Sequence, residues 1–140
     1  MVHALEEAWR VLTPDGLLID LRPAMVHRSV AVVGRSAHTK LGFMREWFED
    51  DIAANRAVAA VVRRGLFRRR GRERIACTRS MDTLDEFRSW LDAYAGLNKL
   101  PSHDWLVKKI APALTAAGRG ARIVVSGPLD LQVLAKRESR

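Results

Sequence analysis

The first 23 residues contain two different spacings of apolar side chains. Apolar residues recur at helical spacing between residues 2 and 12, which predicts a short amphipathic helix. The sequence Pro-Asp-Gly at residues 14–16 ends this helix in a tight turn. Residues 17–19 form an apolar run without alternation, which is typical of a strand covered on both faces in a parallel sheet. Asp20 and Arg22 follow where this strand is expected to end.

Three more helices are predicted further along the chain by the same criterion. They cover residues 46–64, 83–96 and 102–118. The second of them begins with the sequence TLDE, in which Thr83 and Glu86 match a capping box. The third contains Pro112, which is expected to kink or split the helix because proline cannot donate a backbone hydrogen bond.

Other apolar segments have the shorter spacing of β-strands. Two such strands are predicted at residues 30–33 and 66–80. Residues 121–137 contain two alternating segments, 122–125 and 131–134, and the residues between them, 126–130, include Gly and Pro. This arrangement predicts a C-terminal antiparallel hairpin.

Together these elements predict an α/β or α+β fold. A small mixed sheet is expected from residues 17–22, residues 66–79 and the C-terminal hairpin, with four or five helices flanking it. A chain of 140 residues with 48% apolar residues can bury a substantial core. Residues 1–140 are therefore expected to form a single domain.

The composition argues against a membrane anchor, a disulfide and a metal site. The longest purely apolar stretch covers residues 57–62, whereas a membrane-spanning helix needs about 20 residues, and the N-terminus lacks the pattern of a secretory signal. A soluble cytoplasmic protein is therefore expected. The only cysteine, Cys77, has no partner within the chain and forms no zinc-ligand spacing with the histidines. We expect Cys77 to be a buried residue of its strand.

Positive charge is concentrated in one segment of the chain. The formal net charge is +8, and most of the excess arises between residues 63 and 79. The densest part consists of Arg68, Arg69, Arg70, Arg72 and Arg74. Arginines on one strand can bind the phosphates of a nucleic acid. The alternatives are a solvated sheet face or a contact with acidic residues of another subunit, such as those at 49–51.

The segment ALEEAWRVLTPDGLLIDLRP, residues 4–23, resembles part of the Rossmann-like S-adenosylmethionine-dependent methyltransferases. In that family, a helix ending in RVL leads through a PGG turn into the fifth strand of the sheet. The matching residues are Arg10, Val11, Leu12, Pro14, Gly16 and Leu17. Asp15 stands where the first Gly of the turn is usual, and aspartate tolerates turn geometry.

The resemblance divides the chain into sheet elements and an insertion. Residues 1–23 correspond to the helix and fifth strand, and residues 121–137 are similar to the antiparallel hairpin that ends the family's sheet. Residues 24–120 are then a large insertion after the fifth strand. In many enzymes of this family, that region shapes the substrate pocket or a lid.

The cofactor-binding motifs of the family are not found in this sequence. The resemblance implies a Gly-rich loop after the first strand and an acidic residue at the end of the second, because backbone amides at a helix N-terminus hold the ligand. The glycines here do not form G-x-G-x-x-G after a buried strand. We therefore expect a truncated methyltransferase-like protein that binds no cofactor and is not catalytic alone.

Two alternatives for the function stay open. In one, another polypeptide supplies the cofactor half, and the completed enzyme binds S-adenosylmethionine and methylates a substrate held by residues 24–120. In the other, the Arg-rich strand makes the chain a nucleic-acid-binding module. The resemblance alone therefore does not decide whether the chain is part of an enzyme.

Asp20, Arg22 and His27 are the candidate substrate-binding residues. Ligands of open α/β sheets bind beyond the carboxyl ends of the strands, where Asp20 and Arg22 are expected, and His27 follows closely. A local ion pair between Asp20 and Arg22 is the alternative. The sequence SHDW at 102–105 combines Ser, His and Asp, but a helix cap explains it, since the members of a catalytic triad usually come from distant segments. No catalytic residue is therefore assigned.

The same resemblance leads to an expectation about partners. If the fifth strand lacks its usual neighbour, its apolar edge is exposed and open to pairing with another chain. We expect a homodimer, or a partner chain, that covers this edge.

Overall fold

The computed structural model of the chain describes residues 1–98 and 100–137. The elements, in chain order, are α1 (Val2–Val11), β1 (Leu17–Pro23), β2 (Ser29–Val33), β3 (His38–Phe43), α2 (Glu49–Arg63), β4 (Phe67–Met81), α3 (Leu84–Asn98), α4 (Asp104–Ala117) and β5 (Arg122–Lys136). Helices and antiparallel strands of this kind make an α+β fold, which confirms that expectation.

The described chain forms two compact units. The first contains Met1–Met25, Phe48–Ile75 and the residues from Pro128 onward, and the second contains Val26–Trp47 and Ala76–Gly127. Residues 24–120, taken as one insertion in the sequence, thus contribute to both units.

The long strand β5 pairs with three other strands. In the first unit, β1 pairs antiparallel with β5, from Leu17 opposite Ala135 to Pro23 opposite Leu129. In the second unit, β2 pairs antiparallel with both β5 and β3. Strand β4 also pairs with β5. In the first unit, the Leu66 carbonyl accepts the Arg137 amide (2.9 Å), and further along β4 Arg72 and Arg74 contact Asp130, so the two strands run antiparallel.

The expectation that β1 lies in a parallel sheet with both faces covered is wrong. Its side chains alternate between half-buried and exposed, and its only strand partner in the described chain is antiparallel. Leu18 packs into the core below the sheet, while Leu17 and Ile19 point to the opposite, exposed face. The apolar run therefore reflects an uncovered face and not double burial.

The predicted C-terminal hairpin is also wrong, because residues 122–136 form one continuous strand. Gly127 and Pro128 resemble a turn in the sequence, yet they lie inside β5. Pairing with β2 ends at Ser126 and pairing with β1 begins at Leu129, so Pro128 occupies a break in the ladder. Its carbonyl accepts the Ala24 amide (2.9 Å), and its missing N–H falls where no ladder bond is required.

The first unit is built on an apolar cluster below β1 and β5. The fully buried members are Val58, Val61, Phe67 and Leu134. Leu5, Trp9 and Leu12 of the N-terminal segment pack against them, which explains the helical spacing seen in the sequence. Trp9 also donates its indole N–H to the Arg137 carbonyl (3.1 Å) and thereby holds α1 against the end of β5.

The second unit has its own core beneath α3 and α4. Its largest fully buried side chains are Val30, Val32, Met44, Phe87, Leu106, Ile110 and Ile123. The capping box of α3 is confirmed, because the Glu86 amide donates to Thr83 Oγ1 (3.1 Å) and the Asp82 amide donates to Glu86 Oε2 (2.8 Å). Pro112 does not split α4, and it lies on the exposed side, where water can replace the missing hydrogen bond.

Candidate functional site

The carboxyl end of β1 carries a row of charged side chains in the first unit. Arg22 and Asp20 form a bidentate ion pair, with donor–acceptor distances of 2.8 and 2.7 Å. The Arg22 guanidinium also donates to Asn55 Oδ1 on α2 (3.0 Å). Both charged side chains are largely buried, so the bidentate pair is fixed in one orientation. The two predicted site residues therefore lie together, and they are paired with each other.

The row continues across the sheet through Asp130. In the strand register, Asp130 of β5 lies directly opposite Arg22. On its other side, Asp130 accepts hydrogen bonds from Arg74 (2.9 and 3.3 Å) and Arg72 (3.1 Å) of β4. The hydrogen bond from Arg74 holds the pKa of Asp130 below its ordinary value, and the same contact raises the pKa of Arg74. Asp130 therefore stays ionised between two arginines.

Arg72 and Arg74 border an open depression in the surface. It has a volume of about 430 Å³ and is lined by Arg72, Glu73, Arg74 and Asp130. Both arginine side chains are more than half exposed, although each donates to Asp130. A guanidinium has five N–H donors, so each of them retains donors that point to water. The site can therefore accept an anion.

The other predicted arginines lie along the same strand. Arg68, Arg69 and Arg70 are exposed on β4 and form no ion pair in the described part of the chain. The predicted nucleic-acid residues therefore form a continuous basic segment in which, among the described residues, Arg72 and Arg74 share one acidic neighbour, Asp130. Sequence reasoning located this segment correctly but gave no sign of Asp130, which comes from a distant strand.

His27 belongs to the second unit, and it has a structural contact there. Its Nδ1 accepts the backbone N–H of Glu46 (3.2 Å). This bond ties the segment before β2 to the segment after β3. Asp20 and Arg22 belong to the first unit, so the proposed grouping of all three residues stays a prediction.

A buried polar cluster in the second unit was missed by the sequence analysis. The Glu46 carboxylate accepts the Tyr94 hydroxyl (2.6 Å) and the Arg28 backbone N–H (2.8 Å), and it lies 3.7 Å from the Arg28 guanidinium. The Arg28 guanidinium stacks on the Tyr94 ring at 4.6 Å. Burial, followed by the hydrogen bond to Glu46, raises the pKa of Tyr94. Arg28, Glu46 and Tyr94 thus contact one another through hydrogen bonds, an ion pair and ring stacking, and we assign this cluster to packing.

His103, the histidine of the SHDW sequence, is a buried polar residue of the second unit. It is 3% exposed, and its Nε2 accepts the Arg45 amide (3.0 Å). Burial lowers the pKa of His103, which favours the neutral imidazole that this hydrogen bond requires. The adjoining Ser102 Oγ accepts the Asp104 amide (3.3 Å), but the N-cap residue of α4 is His103, whose side chain makes no capping hydrogen bond.

Cys77 is exposed in the middle of β4, so the expectation of a buried cysteine is wrong. The whole of β4 between its ends faces water, which the alternating apolar residues of this segment did not indicate. Within residues 1–98 and 100–137, no group of three or more His, Cys, Asp or Glu side chains is placed to hold a metal ion. Each described helix is too short or too polar to span a bilayer.

Comparison with known proteins adds no family to this description. No protein-family model, curated protein or solved structure matches the chain. The functional interpretation therefore depends on the arrangement of β1, β4 and β5 and on the side chains that they carry.

Proposed function

We propose that this chain is a methyltransferase-like protein that contributes the last strands of the sheet and is not catalytic alone. The turn before β1 supports the resemblance. Asp15, which stands in place of the family's first turn glycine, has a φ of 62°, the left-handed region that favours glycine. The Gly16 amide donates to the Thr13 carbonyl (2.9 Å) and closes the turn. The backbone here thus takes the conformation for which a glycine is the usual choice.

The strand order around β5 also supports the proposal. β1 and β4 lie on opposite sides of β5 and are both antiparallel to it, so they run parallel to each other. Between β1 and β4 the chain passes through β2, β3 and then α2, so these two parallel strands are joined by a crossover that ends in a helix of the first unit. The antiparallel pair at the end of the sheet, which the resemblance places at residues 121–137, is then formed by β4 and β5.

The observation that carries the proposal is the uncovered state of β1. In the described chain, β1 pairs with β5 along one edge only. On its outer face, Leu17, Ile19 and Leu21 are 51%, 65% and 51% exposed. On β5, Val133 and Leu131 are the cross-strand partners of Ile19 and Leu21, and both are only half-buried. An apolar edge strand of this kind is suited to association with another strand.

A second copy of the chain is the partner that fits this edge. The three exposed residues of β1 are symmetric about Ile19, so antiparallel pairing of two copies places Leu17 opposite Leu21 and Ile19 opposite Ile19. A two-fold interface requires such self-complementarity. The homodimer would also place the apolar faces of the two copies side by side on one continuous sheet.

Replacement of Ile19 by lysine is expected to convert a dimer into a monomer. Two like charges would face each other at the two-fold axis, and the apolar contact would be lost. Multi-angle light scattering at micromolar concentration should give twice the chain mass for the wild type and the chain mass for Ile19→Lys. Leu97→Lys is the matched control, because Leu97 is 85% exposed on α3 and should leave the dimer intact. A monomeric wild type would contradict the homodimer.

Titration with S-adenosylmethionine tests the statement that the chain is not catalytic alone. Isothermal calorimetry of the wild-type protein should detect no binding, because the described residues offer an anion site but no Gly-rich loop at a helix N-terminus. The Ile19→Lys variant should behave identically. A micromolar dissociation constant for either protein would contradict the proposal, whatever the oligomeric state.

A further inference from the structure

Strand β4 carries an unusually long row of exposed, charged side chains. Every residue from 68 to 80 is exposed, and only the ends, Phe67 and Met81, are buried. The strand rises about 3.3 Å per residue, so within the first unit Arg68 and Arg74 lie roughly 20 Å apart along it. β4 therefore presents a long, open surface.

In the first unit, this surface carries five arginines and a single glutamate. The arginines are Arg68, Arg69, Arg70, Arg72 and Arg74. Asp130 neutralises the charge of one of the two arginines that it contacts, and the other three form no ion pair in the part of the chain that the structure describes. β4 is thus strongly positive after its own salt bridges are counted.

Protection of a sheet edge does not account for so much charge. One or two charged side chains are enough to prevent edge-to-edge pairing, and Arg72 with Arg74 already meet that need. The acidic residues at 49–51 of another copy are also a poor match. They occupy one helical turn of about 5 Å, whereas the arginines of the first unit extend over roughly 20 Å.

We propose that β4 binds the phosphate backbone of double-stranded nucleic acid. Duplex DNA carries one negative charge per about 1.7 Å of its axis, so a length of roughly 20 Å offers about 12 phosphates to the strand. Residues 68–80 include no aromatic side chain that could stack on unpaired bases, which disfavours single strands. β5 lies between β4 and β1, so β4 is not part of a free two-stranded ribbon that could enter the major groove. Binding is therefore to the backbone and is independent of sequence.

Fluorescence anisotropy with a labelled 20-base-pair DNA tests this proposal. The wild type should bind with a dissociation constant of about 1–100 μM near physiological salt, and the logarithm of its affinity should fall linearly with the logarithm of salt concentration. The triple variant Arg68→Gln, Arg69→Gln, Arg70→Gln should bind roughly 100-fold more weakly, and its salt slope should be smaller by about 2–3. The corresponding triple replacement by lysine keeps the charge and should restore binding.

The matched control removes the same charge elsewhere. Arg35→Gln, Arg56→Gln and Arg119→Gln together replace three exposed arginines that form no ion pair in the described chain and do not lie on β4. This variant should lose less than about fivefold in affinity. An equal loss in the two triple variants would overturn the proposal, because binding would then depend on total charge alone. Circular dichroism melting curves verify that all variants are folded.

Competition with unlabelled ligands identifies the source of the phosphate. Double-stranded DNA and double-stranded RNA of the same length should compete equally, and single-stranded DNA should compete less well. Equal competition by heparin with no difference between the wild type and the β4 variant would overturn the proposal. A wild type that shows no binding to duplex DNA at 50 mM salt would overturn it as well.

Discussion

Replacement of Glu46 by alanine is expected to destabilise the protein by about 3–5 kcal/mol. The Glu46 side chain is only 7% exposed and accepts hydrogen bonds from the Tyr94 hydroxyl and the Arg28 amide. Its removal leaves the Arg28 guanidinium, which is 18% exposed, without its carboxylate. An unpaired charge in a largely buried position costs more than the ion pair itself contributes.

Urea denaturation at pH 7 measures this effect, and Glu46→Gln is its matched control. Glutamine keeps one oxygen acceptor, which can accept the Arg28 amide, and its NH2 group can donate to the Tyr94 hydroxyl oxygen, but the charge is lost, so we expect about half the loss of the alanine variant. A loss below about 1 kcal/mol for Glu46→Ala would show that the cluster is not important for the fold.

The helices were predictable from the sequence because their signals are local. The apolar spacing and end signals placed four helices, all of which are present, and the capping box at Thr83 and Glu86 forms as predicted. The start of α2 was placed too early. In the sequence, Glu46 resembles an acidic residue of the first turn of a helix. In the structure it precedes α2, and its side chain accepts hydrogen bonds from Tyr94 and Arg28.

The strand pairing was not predictable, because it depends on residues far apart in the chain. β5 reads as two short strands around Gly127 and Pro128, and only its pairing with β1 and β2 shows that it is continuous. The same holds for Asp130, whose contact with Arg72 and Arg74 spans more than 50 residues of sequence. Local patterns contain no information on such contacts.

The candidate site was predicted only in part, because some of its contacts join residues that are far apart in the chain. Asp20 and Arg22 were located from the end of an apolar run, and their ion pair is local. The basic segment of β4 was located from composition alone. Two of its arginines pair with Asp130 of a distant strand, and only the structure shows which arginines have this acidic partner.

The two proposals use edge strands with opposite chemistry. β1 presents leucine and isoleucine at its edge, and β4 presents arginine. Arginine on β4 opposes edge pairing, which leaves β1 as the strand suited to self-association. The dimer contact and the phosphate contact are therefore separable. Ile19→Lys should abolish the first without removing any arginine that supports the second.

Replacement of Gly42 by alanine is the second large effect that we expect, at about 2–5 kcal/mol. Gly42 lies in β3 with a φ of 144°, a conformation that L side chains rarely adopt and that costs about 1–3 kcal/mol. A Cβ at this position would lie 2.8 Å from Cη2 and 3.1 Å from Cζ3 of Trp105. Overpacking of this kind adds about 1–3 kcal/mol. The close approach of β3 to α4 thus depends on the missing side chain.

Gly71→Ala is the matched control, because it is also a strand glycine. No atom lies within 4 Å of a Cβ at Gly71. Its stability in urea should therefore change by less than about 0.5 kcal/mol. The double variant Gly42→Ala, Trp105→Leu separates the two costs, since leucine relieves the overlap but not the backbone strain. If Gly42→Ala costs the same beside leucine as beside tryptophan, the ring contact contributes nothing and the backbone conformation alone requires glycine.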